Sequence, residues 1–242
     1  MCYKGSMRSL ALCLLAVPMA WAATPPSIVS VVDSAGYGAA IAGGLVATIF
    51  GANLSTGTGA ATQFPLPQVL ARTQVFVSGV AADLYYVSPT QINFIVPPHG
   101  GQSLTVVSGQ LSSPATPVTI QLWAPGFFTM DSAPTGPVAA EHADGSLITA
   151  ASPARPGETI QMFGTCLGYI DPLLPIAFPG GAVTVGGVTA QITYNGPAPN
   201  VPGVTQINIT IPMTAPAGGA VPIQLQFESA TSNTATLAVS SN

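Results

Sequence analysis

Charge is what this 242-residue chain has least of. Charged residues make up 5% of it, against roughly 25% in a typical soluble domain. The basic residues are Lys4, Arg8, Arg72 and Arg155. They form no stripe or patch, which argues against a nucleic-acid partner and against binding to anionic lipid. Histidine is limited to His99 and His142, and cysteine to Cys2, Cys13 and Cys166. No His-x-x-x-His and no cysteine pair offers a zinc ligand set. No Gly-x-Ser-x-Gly elbow is present. No apolar run reaches the roughly 20 residues of a membrane-spanning helix. The charge deficit is not disorder, because 48% of the residues are hydrophobic and disordered chains are apolar-poor.

What the chain has in quantity is glycine and proline, 26 and 24 residues. They recur too often for long helices and suit many short strands joined by tight turns. One eight-residue stretch occurs twice, as Thr90-Gln91-Ile92-Asn93-Phe94-Ile95-Val96-Pro97 and as Thr205-Gln206-Ile207-Asn208-Ile209-Thr210-Ile211-Pro212. Its apolar residues alternate, which puts Ile92, Phe94 and Val96 on one strand face, and likewise Ile207, Ile209 and Ile211. Proline closes each copy. A strand signature repeated this closely predicts two copies of one β domain, and the length suits two.

The N-terminus reads as a secretory signal peptide over residues 1–22. Lys4 and Arg8 precede an apolar core from Leu10 to Met19, and Ala20-Trp21-Ala22 is a small-x-small cleavage site. The alternatives are a buried N-terminal strand or helix, and a lipoprotein acylated at Cys13. Bulky Leu12 before Cys13 and the long apolar stretch after it speak against the latter. Cleavage would leave Cys166 alone, a small buried hydrophobe with no partner for a disulfide.

Strands are expected at Ile28 to Val32, Leu45 to Phe50, Val75 to Val77, Ala82 to Val87, 92–96, Leu104 to Val107 and Val118 to Leu122. Asp33 to Gly44 reads as loop. Ser78-Gly79 is a hairpin signal. The second copy repeats the series: Phe163-Gly164-Thr165-Cys166-Leu167 matches Phe50-Gly51-Ala52-Asn53-Leu54, and the segment from Val183 matches that from Val75. Leu237 and Val239 match Val118 and Ile120. The second copy carries a longer loop, Asn195 to Gly203, with three prolines. Seven or eight short strands per copy, with turns about every ten residues, is the pattern of an immunoglobulin-like sandwich. The expected division is a first sandwich over 23–124 and a second over 125–242, with 125–156 as junction and entry strands. Leu147-Ile148 is expected to form a short strand there.

These residues resemble a known family. The paired Gln-Ile-Asn strands carry the resemblance, with Gly-Val-x-Ala-x-x-x-Tyr (Gly79 to Tyr86 and Gly187 to Tyr194) and Ala124-Pro125-Gly126-Phe127-Phe128. So do Ala143-Asp144-Gly145-Ser146 and Pro153-Ala154-Arg155-Pro156-Gly157-Glu158. Together they look like an uncharacterised C-terminal domain of secreted acidobacterial (Solibacter-type) proteins. The resemblance covers roughly residues 40 to 240. The halves also resemble IPT/TIG domains, which are early-set immunoglobulin-like sandwiches. The resemblance implies fold and secretion, and no reaction. Ser152 stands where the family pattern has Asn before Pro-Ala, and Cys166 where it has Gly.

The expected fold is therefore all-β, two tandem immunoglobulin-like (IPT/TIG, early-set) sandwiches. The expected role is a secreted, non-enzymatic binding, adhesion or structural module of the bacterial exterior. Its partner would be an extracellular protein or polysaccharide. A carbohydrate-binding protein is the alternative, and a hydrolase a third reading. No catalytic, cofactor-binding or metal-ligating residue is assigned, and no cofactor is implied. The densest polar group is Asp131, Glu141, His142, Asp144, Arg155 and Glu158. Glu141, His142 and Asp144 read as a solvated loop in preference to a calcium or ligand site, and Arg155 and Glu158 as pairing with each other or with Asp144 to brace the domain junction. An enzyme would instead need two of Glu141, His142, Asp144 and Glu158 to converge in a pocket. A carbohydrate site would need Tyr85, Tyr86 and Trp123 in an exposed row. Gln91 and Asn93 are read as structural, satisfying loop backbone beside the strand. His99, in Pro-Pro-His-Gly-Gly, reads as an exposed turn residue.

Overall fold

The computed structural model describes residues 24–98, 101–165 and 181–241. The expected signal peptide, His99 and Cys166 lie outside the described residues. Those described are strands and turns, with no helix among them. No helix is long and apolar enough to cross a membrane.

In the first copy one sheet runs in the order Ser27–Asp33, Val46–Ala52, Gln91–Ile95, Asp83–Val87, Gly59–Ala60. The facing sheet runs Leu111–Ser112, Ser103–Ser108, Thr73–Val77, Val80–Ala81, with Thr116–Pro117 also on Ser103–Ser108. Between them Ile49, Leu84, Ile92 and Phe94 meet Val75, Val77, Leu104 and Val106 in one buried cluster. The period-two pattern thus delivers its apolar face to the core, as the alternation requires.

The second copy repeats the arrangement. Its strands follow the order Ala140–Glu141, Thr159–Gly164, Thr205–Thr210, Val188–Pro197, Gly181–Val185, Gly218–Phe227, Ala230–Thr231, with Ala235–Val239 also on Gly218–Phe227. Ile160, Met162, Ile207 and Ile209 bury against Val183, Val185, Leu225 and Phe227. Even the register is shared. Phe50 faces Gln91 and Ile49 faces Ile92 in the first copy; Phe163 faces Gln206 and Met162 faces Ile207 in the second. Both copies turn their first hairpin through two residues of positive φ, Ser78 (48°) with Gly79 (85°) and Gly186 (58°) with Gly187 (82°). That is the type I′ geometry matched to strand twist. Two immunoglobulin-like β-sandwiches in tandem result.

One strand crosses between the layers. In the second copy Val188 to Ala190 pairs with Gly181–Val185, while Gln191 to Pro197 pairs with Thr205–Thr210. In the first copy the same path is broken at Ala82 into Val80–Ala81 and Asp83–Val87, one on each sheet.

Four expectations are corrected. Ala40–Ala42, inside the expected loop, is a strand pairing parallel with Thr119–Gln121. The second copy has the matching tie, where Ala154 N donates to Ala238 O and Ser240 N donates to Ala154 O, both at 2.9 Å. Ala-Ile-Ala is too short to show a legible period, and its partner is distant in sequence. Asn195 to Pro197 is strand and not loop, because it continues the crossing strand. The expected strand over Val118 to Leu122 is shorter, Thr119–Gln121, with a separate two-residue strand, Thr116–Pro117, before it. Leu147 makes only an isolated bridge with Glu141.

The copies are joined by directed contacts. The Asp33 carboxylate is 4% exposed. It accepts bonds from Ala35 N at 2.9 Å and Gly36 N at 2.7 Å, and from the Thr165 hydroxyl of the second copy. Burial raises its pKa above the ordinary value despite these donors. The long loop of the second copy reaches back. Pro202 O accepts from the Tyr85 hydroxyl at 2.7 Å, and Gly203 O from Val46 N at 3.2 Å. Burial pushes the Tyr85 phenol up to about 12. Gly203 has φ 74°, and a Cβ there would sit 3.0 Å from Val46 Cγ2. A Cβ on Gly126 would sit 2.7 Å from Gly36 N. Trp123, at the end of the first copy, packs edge-on against Phe227 of the second, with centroids 4.7 Å apart.

Candidate functional site

The polar group singled out in the sequence divides in the structure. Ala143-Asp144-Gly145-Ser146 is a tight turn, with Gly145 N bonded to His142 O and His142 N to Ser146 O. Asp144 closes it, accepting from Ser146 N at 3.0 Å and Ser146 Oγ at 2.6 Å. These bonds hold the Asp144 carboxyl below its ordinary pKa. A second turn, Thr149 to Ser152, is closed by mutual backbone bonds. A third segment, Arg155 to Glu158, turns into Thr159–Gly164. The three surround an open cavity of about 570 Å³, lined mainly by His142, Asp144, Ser146, Ser152, Arg155 and Glu158.

His142 ties the three segments together. Its Nδ1 lies 2.5 Å from Glu158 Oε1. Its Nε2 lies 3.2 Å from both the carbonyl oxygen and the hydroxyl of Ser152. The other carboxylate oxygen of Glu158 accepts from Arg155 N at 2.8 Å. Glu158 is thereby oriented through both oxygens. Its hydrogen bond raises the His142 pKa above 6.5. The side chains are 14% and 21% exposed.

The expected brace is thus corrected. Glu158 pairs with His142, and it meets Arg155 through the backbone. Among the described residues the Arg155 side chain makes no ion pair. His142 and Glu158 do converge in a cavity, with Asp144 on its wall. Glu141 stands apart on its strand, opposite Gln161. Asp131 is elsewhere, accepting from Ala133 N at 3.1 Å. Ser152 is the member that sequence reasoning did not place in a site. No group of three or more His, Cys, Asp or Glu side chains that could hold a metal ion occurs among the described residues.

The aromatics do not form an exposed row. Tyr85 binds Pro202, Trp123 packs on Phe227, and Tyr194 donates to Pro197 O at 3.0 Å. The Gln and Asn of the repeated strand bond laterally, not to loop backbone. Gln91 Nε2 donates to Asn93 Oδ1 at 2.8 Å, and Gln206 Nε2 to Asn208 Oδ1 at 2.9 Å. Thr48 extends the first ladder and Gln161 the second. Gln91 and Asn93 also face a smaller cleft of about 250 Å³ toward Phe128 and Thr129 of the second copy.

No family model matches the chain, and no curated protein matches it. Among solved structures it is similar to the full extracellular region of Plexin A4, at 13% identity over 88% of this chain and 18% of that one, TM-score 0.30. The chain spans under a fifth of that plexin chain. It is also similar to an auxiliary nutrient binding protein from Bacteroides ovatus, at 10% identity over 84% of this chain and 54% of that one, TM-score 0.31. A pair of titin Ig tandem domains matches at 12% identity over 89% of this chain and 96% of that one, TM-score 0.24.

Proposed function

We propose that the chain is an exported binding or structural module that holds two sandwiches at one fixed angle on the bacterial exterior. The observation that carries this reading is the junction. The Asp33 carboxylate, the Tyr85 hydroxyl and the Val46 amide each bond across it, and Gly126 and Gly203 allow the backbones to meet. Transient inter-domain contacts leave relative motion as the default; directed bonds around a buried carboxylate oppose it. A fixed pair of sandwiches presents its end loops at a constant spacing, which is what adhesion to a second surface uses. The sparse charge and the N-terminal signal sequence support export. The scaffold needs no reaction to do this. The partner is a protein or a polysaccharide, and the lack of an exposed row of Tyr85, Tyr86 and Trp123 favours protein. Cell-surface binding by residues 23–242, with and without calcium, beside a glycan array, tests the reading. Saturable binding to protease-treated and untreated cells alike would count against a protein partner. No binding to cells would leave a spacer role.

A further inference from the structure

The cavity around His142 lies outside the junction and serves no purpose in holding the sandwiches together. We infer that it is an acyl-transfer site in which Ser152 is the nucleophile, His142 the general base and Glu158 the orienting acid, acting on short-chain carboxylic esters.

Nucleophile, base and orienting acid must form a hydrogen-bonded chain. Here Ser152 Oγ lies 3.2 Å from His142 Nε2, and His142 Nδ1 lies 2.5 Å from Glu158 Oε1. Glu158 is held through its second oxygen by Arg155 N, so the imidazole has a fixed partner and a fixed tautomer. In the neutral ring Nδ1–H donates to Glu158, and Nε2 is a lone-pair acceptor. Of the two Ser152 oxygens only the hydroxyl can then satisfy it, since the carbonyl has no proton to give. In the protonated ring Nε2–H donates to that carbonyl, and the hydroxyl loses its base. Ser152 is exposed on a closed turn, which makes its oxygen accessible. Arg155 lines the same cavity and brings positive charge to it. The apolar lining is only Ala143, Ala151 and Pro153, which leaves no slot for a long acyl chain.

Ser152 Oγ attacks the ester carbonyl carbon as its proton passes to Nε2. The tetrahedral intermediate collapses, the bond to the alcohol oxygen breaks, and that oxygen takes the proton from Nε2. Water then loses a proton to Nε2 and attacks the acyl-serine. The bond between the acyl carbon and Ser152 Oγ breaks, Oγ takes the proton back from Nε2, and the carboxylic acid leaves.

The test treats the full chain with a fluorophosphonate probe, maps the adduct by peptide mass spectrometry, and measures p-nitrophenyl acetate hydrolysis. A single adduct at Ser152 is expected, forming faster as pH rises and His142 loses its proton. Ser152→Ala abolishes the adduct, and His142→Gln slows it about 10²-fold or more, with thermal melting to show that the variants fold. Ser146, engaged with Asp144, and Ser240 are internal controls. Labelling of Ser152 no faster than of those two overturns the inference, as does a pH-independent rate or a folded His142→Gln that labels at the wild-type rate. The wild-type pH profile and the control serines decide the matter even if a variant fails to fold. Junction-dependent binding to cells is a separate readout, so either idea can fail alone.

Discussion

Single residues carry the joints of this molecule. Asp33 is the clearest case, because a carboxylate that is nearly out of solvent receives donors from both copies. Asp33→Ala leaves the Ala35 and Gly36 amides without their acceptor. The expected loss is about 1–3 kcal/mol, read as a shift of the urea midpoint. His142 makes a different, pH-dependent contribution. Its pKa is raised in the fold by Glu158. The stabilisation is therefore fully present below the unfolded imidazole value and is lost as pH rises through the folded one. Urea melts of wild type and His142→Gln are expected to differ most near pH ~6 and to converge near pH ~9. Neither partnership was legible beforehand. Asp33 looked like the start of a loop, and Glu158 looked like the neighbour of Arg155 in a solvated turn. Sequence spacing names the polar residues, but the choice of partner depends on where three separate turns come to rest.

At the scale of elements, the repeated strand was legible because period two survives in any strand with one buried face. Its shared register in the two copies follows from the matched Phe-Gly strand beside it. Equivalent truncations should then cost similar amounts. Phe94→Ala is expected to lose about 3–5 kcal/mol and Ile209→Ala about 2–5 kcal/mol, measured by chemical denaturation. Such losses would exceed those for Gln91→Ala or Asn208→Ala on the outer face. Ala40–Ala42 was illegible for the opposite reason. Ala-Ile-Ala is too short to show an amphipathic pattern, and parallel pairing needs a partner that only the completed sandwich supplies. The loop ending at Gly203 was visible as an insertion, yet its docking on Tyr85 and Val46 was not.

The whole molecule is defined by how the two sandwiches meet. Gly203→Ala adds a Cβ against Val46 where φ is already positive. Each sandwich is expected to stay folded while the junction loosens, seen in small-angle scattering as a larger radius of gyration and a broader distance distribution. Tyr85→Phe, which removes only the bond to Pro202, should move the same readout less. Few charges also mean little for salt to screen. Thermal stability is expected to be almost unchanged between low salt and about 1 M, where the Debye length is only about 3 Å.

The parallel tie between Ala40–Ala42 and Thr119–Gln121 has a mechanical side. Tension applied through the two ends of that sandwich pulls these strands in opposite directions along their length. Their hydrogen bonds are then loaded in shear and must break together, whereas a hairpin pulled from its open end unzips one bond at a time. In the second sandwich Ala154 and Val239 form a parallel bridge of the same sense. Each half carries its own clamp, and a chain anchored at one end and gripped at the other would resist flow or pulling before either core is exposed.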